Sequence, residues 1–212
     1  MNRCRIPEKR MWNMQPLFAH NLLLLSVLGV SYLIWAVMEV SVEIRQRKRI
    51  RADVSRQDKG SHVVLGGMIR IGILLCVLLA FTVPATAITS ASVFLFWLGI
   101  ALVYAGLAFR LYAIKVLGRY FTTSVAVVAD QQVVEDGPYR LIRHPSYTGF
   151  LVTLLGFGLS YTNWLSLLVL MGCALLGFSY RIHVEEHVLK AHLGQRYQEY
   201  MRRTKRLIPF VL

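Results

Sequence analysis

Long uninterrupted apolar stretches decide what this chain can fold into. Residues 17–40 ("LFAHNLLLLSVLGVSYLIWAVMEV"), 63–83 ("VVLGGMIRIGILLCVLLAFTV") and 93–115 ("VFLFWLGIALVYAGLAFRLYAIK") each reach the roughly 20 apolar residues that a helix needs to cross a bilayer. A fourth stretch, 147–180, is too long for one span and too short for two full ones, and Tyr161-Thr162-Asn163-Trp164 interrupts it in the middle. It reads as a tight helical hairpin whose first arm is short or tilted. The expected fold is therefore an all-α integral membrane protein of about five transmembrane helices, the last two a hairpin.

Charge sets the expected orientation. The net charge of +13 alone would admit a nucleic-acid partner. However, seven basic residues (Arg45, Arg47, Lys48, Arg49, Arg51, Arg56 and Lys59) lie in one link between apolar runs, as in loops held beside anionic headgroups on the cytoplasmic side. No nucleic acid is expected. The link 83–92 is uncharged, whereas 41–62 and 115–146 are basic, so the latter two and the C-terminus should be cytoplasmic. Arg3, Arg5, Lys9 and Arg10 in the N-terminal tail pull the other way. No cleavable signal peptide is evident, and Cys76 and Cys173 read as small core residues. The chain divides into an N-terminal three-helix membrane region, 1–115, and a C-terminal region, 116–212.

Polar residues concentrate at the two ends of the hairpin: "GPYRLIRHPSYTGF" (137–150) before it and "RIHVEE" (181–186) after it. A hairpin returns the chain to the side it left, so His144 and Glu185 can meet despite their distance in sequence. Arg181 and Glu185 share one helical face at i,i+4. Ionisable groups at membrane depth usually mark a functional path. Arg70 and Arg110 lie inside predicted helices, and Glu39 lies at the end of one; each reads either as a snorkelling side chain or as part of a site. Residues 181–206 read as a helix leaving the membrane, punctuated by Gly194, with "LIPFVL" docking on the membrane face.

"GPYRLIRHPSYTG", "RIHVEEHVL" and "LGQRYQEYMRRTKRLIPF" together resemble the C-terminal signature of the isoprenylcysteine carboxyl methyltransferase family, which is also similar to phospholipid N-methyltransferases. The resemblance spans roughly residues 104–212. It implies S-adenosyl-L-methionine bound in a cytoplasmic helical pocket of the C-terminal region rather than in a Rossmann domain; no GxGxxG turn follows a strand here. Carried over position by position, it implies cofactor contacts from Gln131, Gln132, Val133, Val134, Tyr139, His144, Pro145, Ser146, Tyr147 and Glu185. It also implies a substrate-side role for Arg181 and a catalytic group of Arg181, Glu185 and His144. The implied protein is multi-pass, in a bacterial or archaeal inner membrane or the endoplasmic reticulum, and takes a lipophilic substrate from the bilayer among its membrane lipids.

These residue types suit that chemistry. Aromatic faces attract a sulfonium, and a carboxylate such as Glu185 accepts from an ammonium or from ribose hydroxyls. A carboxylate acceptor is already ionised near neutrality and needs only orientation, which an arginine supplies. An amine or thiol acceptor needs a base, with His144, His183 or Glu186 as candidates. Two rival readings stay open at this level. "HVEEH" (183–187) matches the H-x-x-E-H pattern of a zinc protease, and a small membrane scaffold with a basic face would bind no cofactor.

Overall fold

The computed structural model describes residues 16–50, 55–56, 58–123, 126–127 and 131–208. The basic N-terminal tail, most of the arginine-rich link and the final Pro209–Leu212 lie outside them, so the expectations resting on those residues have no structural counterpart. Helix α1 spans Leu22–Ile50, α2 Ser61–Thr82, α3 Ser92–Leu117, α4 Pro145–Ser160 and α5 Trp164–Arg203. Two-residue strands β1 (Ser55–Arg56) and β2 (Ala126–Val127) pair antiparallel across the two basic links.

Each boundary has a local cause. The first apolar run does not become helical at residue 17. Leu17–His20 form a 3₁₀ turn, and Asn21 Oδ1 then accepts from the Leu23 and Leu24 N–H groups, so the α-helix starts one turn later. Asp58 serves α2 similarly, accepting from Ser61 Oγ and from His62 N. Gly118, at φ +57, stops α3, and Pro145 at its first position opens α4. The reversal between α4 and α5 rests on Thr162 at φ +50 and on Asn163, whose Oδ1 caps Ser166 N and also accepts from Thr86 Oγ1 at 2.9 Å. Thr86 comes from the uncharged 83–92 link, so that link buttresses the hairpin turn.

Among the described residues, four helices are long and apolar enough to cross a membrane: Leu22–Gln46, Ser61–Thr82, Ser92–Tyr120 and Trp164–Arg203. The fifth expected segment is α4, whose 16 residues extend only about 24 Å, short of a full hydrocarbon thickness. It is instead the most enclosed helix, with Leu154 and Phe157 fully buried. Helix α5 runs on for 40 residues, and Gly194 (φ 57, ψ −132) breaks its helical geometry as the sequence suggests.

Packing is pairwise. Helix α3 lies backbone to backbone on α4 because Gly99 and Gly106 face Gly156 and Gly149; a methyl built on Gly156 would come within 2.5 Å of the Gly99 carbonyl. Gly149 serves this close helix–helix approach rather than the hairpin turn. It sits at the opposite end of α4 from the turn, and there it lets the Gly106–Arg110 backbone approach. Helix α2 packs on α5 through Gly72 and Gly177, with Cys76 fully buried. Helix α1 joins by side chains: Tyr32 stacks on Phe157 at 3.8 Å, and Trp35 meets Phe150 and Phe157 edge-on. It makes no extensive contact with α2. The two leave a groove between them.

Candidate active site at the open end of the hairpin

The first turn of α4 and the middle of α5 come together as the hairpin requires. The chain after α5 completes this end. Residues 204–207 run beside 141–148, with Arg143 N donating to Lys205 O (2.8 Å), His144 N to Arg206 O (3.0 Å) and Thr148 Oγ1 to Leu207 O (2.7 Å). These bonds occupy backbone groups at the start of α4 that the helix leaves unpaired, and they fix His144 and Tyr147 in place. Leu207 packs against the core.

His144 and Glu185 face each other, Nδ1 to Oε1 at 4.0 Å. Tyr147 stacks on His144 (5.4 Å between centroids, 9°) and donates its hydroxyl hydrogen to Glu185 Oε2 at 2.6 Å. Arg181 Nε donates in turn to the Tyr147 oxygen at 3.2 Å. A continuous chain of polar contacts therefore runs Arg181–Tyr147–Glu185–His144.

Two cavities flank this chain. The smaller, about 660 Å³ including its open mouth, is lined by Gln131, Gln132, Val133, Val134, Tyr139, His144 and Glu185, all named from the sequence, with Val188, Leu189, Leu193, Tyr197 and Tyr200 of α5. The larger, about 1510 Å³, is mostly apolar and is the groove between α1 and α2. Tyr147 and Arg181 lie on its wall, not in the smaller cavity. Thr122 lines both. The two spaces thus meet at Thr122 and the Tyr147–Glu185 hydrogen bond. Pro145 and Ser146 line neither cavity: both are buried, and the Ser146 carbonyl accepts from Arg110 Nη1 at 3.1 Å. They hold α4 in position.

Arg181 is not an open fork. It is only 2% exposed. Four of its five donors are committed, to Tyr147, to Asp58, to Ser61 Oγ at 2.7 Å and to the Thr123 carbonyl at 2.9 Å. Arg143 is likewise inside. It donates to Glu186 Oε1 at 2.9 Å and to the Met201 and Thr204 carbonyls. Arg206 closes on Glu186 from the other side at 3.0 Å. His144 Nε2, 3.5 Å from Glu186 Oε1, is buried and makes no hydrogen bond. Burial, then the charge of Glu185, hold the Tyr139 phenol above its ordinary range, so it remains a donor, toward the Ala113 carbonyl.

The "HVEEH" motif does not assemble as a metal site. His183 and His187 face outward, whereas Glu186 faces inward and is held by two arginines. Among the described residues no group of three His, Cys, Asp or Glu side chains is placed to hold a metal ion. Sequence reading left Arg110 and Glu39 ambiguous, and the structure resolves them as a bidentate pair at 2.8 and 2.9 Å that ties α1 to α3 on the wall of the larger cavity. Tyr197 and Tyr200 went unnoticed. Their i,i+3 spacing inside a charged segment was the available signal.

The model of the isoprenylcysteine carboxyl methyltransferase family matches residues 97–191, the stretch that contributes α3, α4, the hairpin turn and most of the smaller cavity. The match covers just under half of the chain. Protein-S-isoprenylcysteine O-methyltransferase B of Arabidopsis thaliana is 34% identical over 115 residues, 53% of this chain and 58% of that one. Protein-S-isoprenylcysteine O-methyltransferase of Saccharomyces cerevisiae is 35% identical over 116 residues, 54% and 48% of the two chains. The chain thus spans about half to three-fifths of the length of these relatives. The solved structure of the eukaryotic intramembrane Ras methyltransferase ICMT shares the fold, with a TM-score of 0.53 at 24% identity over 72% of this chain and 53% of that one. Every site residue named from the sequence falls inside the matched segment; Glu39, Arg70, Tyr197, Tyr200 and Arg206 fall outside it.

Proposed function

We propose that this protein is a membrane S-adenosyl-L-methionine-dependent methyltransferase that O-methylates the carboxylate of a prenylcysteine-like or other lipophilic acceptor. The observation that carries this reading is the pair of cavities, one mixed in polarity and one apolar, meeting at Thr122 and the Tyr147–Glu185 bond. Two-substrate transfer between a polar donor and a lipid-borne acceptor requires such a junction.

The smaller cavity fits the cofactor's chemistry. The Glu185 carboxylate suits an ammonium or ribose hydroxyls, the Gln131 and Gln132 amides suit polar edges, and Val188, Leu189 and Leu193 with Tyr197 offer an apolar wall for an adenine. When bound there, the cofactor supplies a methyl group on a sulfonium.

The chain's own residues then position and exclude. Glu185 is oriented by Tyr147, and Tyr147 by Arg181, so Arg181 acts as a positioning residue. Aromatic and aliphatic side chains shield the junction from water, and alignment supplies the acceleration in a displacement of this kind. Among the groups able to act as a base, His183 faces outward and Glu186 is bound by Arg143 and Arg206, which leaves His144. This sparsity favours an acceptor that arrives ionised over an amine or a thiol. The exposed Arg140, Lys190, Arg196, Arg202, Arg203 and Lys205 around this end support a cytoplasmic orientation.

The test uses purified protein in lipid nanodiscs with methyl-labelled S-adenosyl-L-methionine. Label should pass to a prenylcysteine analogue in preference to phosphatidylethanolamine or a simple thiol, and Glu185→Ala should abolish micromolar cofactor binding in calorimetry. Transfer to the phospholipid alone would overturn the choice of acceptor.

A further inference from the structure

Three arginines and two glutamates line the larger cavity, together with His62. Their pairing is uneven. Arg110 is taken by Glu39 and the Ser146 carbonyl. Arg181 is taken by Asp58, Ser61, Thr123 and Tyr147. Glu43 faces His62 at 3.5 Å. Arg70 alone has no carboxylate: among the described residues it makes no hydrogen bond and no ion pair.

Its position makes this costly. Arg70 sits nine residues into α2, an apolar helix long enough to cross a membrane. Its side chain folds back over Gly66; a methyl built on Gly66 would meet Arg70 Nη1 at 3.4 Å. That fold places the guanidinium on the groove wall, with its axial height about 7.5 Å from the Ser61–Arg181 contact at the helical rise per residue. Gly66 and Arg70 both line the cavity, with Leu65, Ile69, Ile73 and Leu74 around them. An ionised group at this depth calls for an anionic partner, and the side of the groove between α1 and α2 admits one from the bilayer.

We propose that Arg70 reads the anionic head of the lipophilic acceptor, so that the larger cavity selects an amphiphile carrying a carboxylate on an extended apolar chain. The inference rests on the methyl-transfer reading above for the identity of the occupant, and on charge complementarity for its head group. It moves the carboxylate-reading role from Arg181, four of whose five donors are committed, to a residue outside the family-matched segment. Acceptor preference is then set by α2, while the transfer machinery sits on α4 and α5.

The experiment compares wild type, Arg70→Gln and Arg70→Lys in neutral phosphatidylcholine nanodiscs. Direct binding of a prenylcysteine carboxylate and of its uncharged amide is measured without cofactor, and methyl transfer is measured separately. Arg70→Gln should weaken carboxylate binding and raise the acceptor KM at least ten-fold, about 1.4 kcal/mol, with kcat and the cofactor KM unchanged. Arg70→Lys should recover part of the loss, and the amide should bind both glutamine variant and wild type equally. Carboxylate binding that ignores Arg70→Gln overturns the proposal even if methyl transfer proceeds. Arg70-dependent binding without methyl transfer to any acceptor upholds it and sinks the methyltransferase reading. Competition by anionic phosphatidylglycerol in wild type but not in Arg70→Gln would reassign Arg70 to a bilayer headgroup and overturn it.

Discussion

Replacing Gly106 by alanine should damage this protein well beyond what the size of a methyl group suggests. The added Cβ would lie 2.5 Å from Thr153 Oγ1 and 2.6 Å from both the Gly149 carbonyl and Thr153 N. Normal non-bonded separations begin near 3.5 Å, so α3 and α4 must part by roughly 1 Å. Two of the three obstructing atoms are backbone and cannot swing aside. Overpacking of this kind costs about 1–3 kcal/mol, and alanine's better helix propensity returns up to about 1 kcal/mol. Gly172 supplies the control: it lies in α5 with nothing within 4 Å of a built Cβ. Gly172→Ala should be neutral or slightly stabilising, leaving the two variants roughly 2 kcal/mol apart.

The consequence reaches the site because the same contact holds the start of α4. Arg110, one turn after Gly106, donates to the Ser146 carbonyl, and Tyr147 follows immediately. A displacement of about 1 Å at a reacting centre can cost on the order of 10²-fold in rate. The assay is thermal unfolding in mild detergent, paired with cofactor binding and methyl transfer at a temperature where both variants stay folded. Gly106→Ala should melt below wild type and lose activity even when folded. If it melts alongside Gly172→Ala with full activity, the close α3–α4 approach is not what positions the site.

Tyr147→Phe keeps the ring stacked on His144 but removes the hydroxyl between Arg181 and Glu185. Losing a hydrogen bond to a charged group costs roughly 1.5–3 kcal/mol, so cofactor affinity should fall at least ten-fold in calorimetry, and an unchanged affinity would show that Tyr147 does not orient Glu185. Glu39→Gln leaves Arg110 without its carboxylate while preserving shape. With the pair partly enclosed, a loss of about 1–3 kcal/mol is expected in detergent unfolding, and Glu39→Gln with Arg110→Gln should be less destabilised than the sum of the single variants; strict additivity would mean the pair is not coupled.

What the sequence revealed of the fold followed from periodicities that act locally. Apolar runs define α1, α2, α3 and the hairpin, Gly194 marks its own break, and Asn163 with Thr162 marks the turn. The pairing of α3 with α4 was not visible, because glycine's role there depends on which backbone faces it. In sequence alone, a glycine that permits a turn is indistinguishable from one that admits a neighbouring helix, as Gly149 does. Similarly, the start of α1 was misplaced because apolar residues in a 3₁₀ turn and in a helix look alike until the Asn21 cap is considered.

The site was legible to the extent that the hairpin brings its two ends together: Gln131 to Val134, Tyr139, His144 and Glu185 share one cavity, with Tyr147 hydrogen-bonded to its wall. What stayed hidden was the state of the arginines. From composition, Arg110, Arg143 and Arg181 are equivalent cations at a membrane edge, and any of them suits a carboxylate. The fold distinguishes them by giving each a partner far away in sequence: Glu39 for Arg110, Glu186 for Arg143, Asp58 for Arg181. A guanidinium whose donors are spent orients its neighbours and holds helices together, whereas one left unpaired on a cavity wall is available to a ligand. The residue that best fits substrate recognition is therefore found by asking which charge the folded chain has not already neutralised, and among those lining the larger cavity it is Arg70.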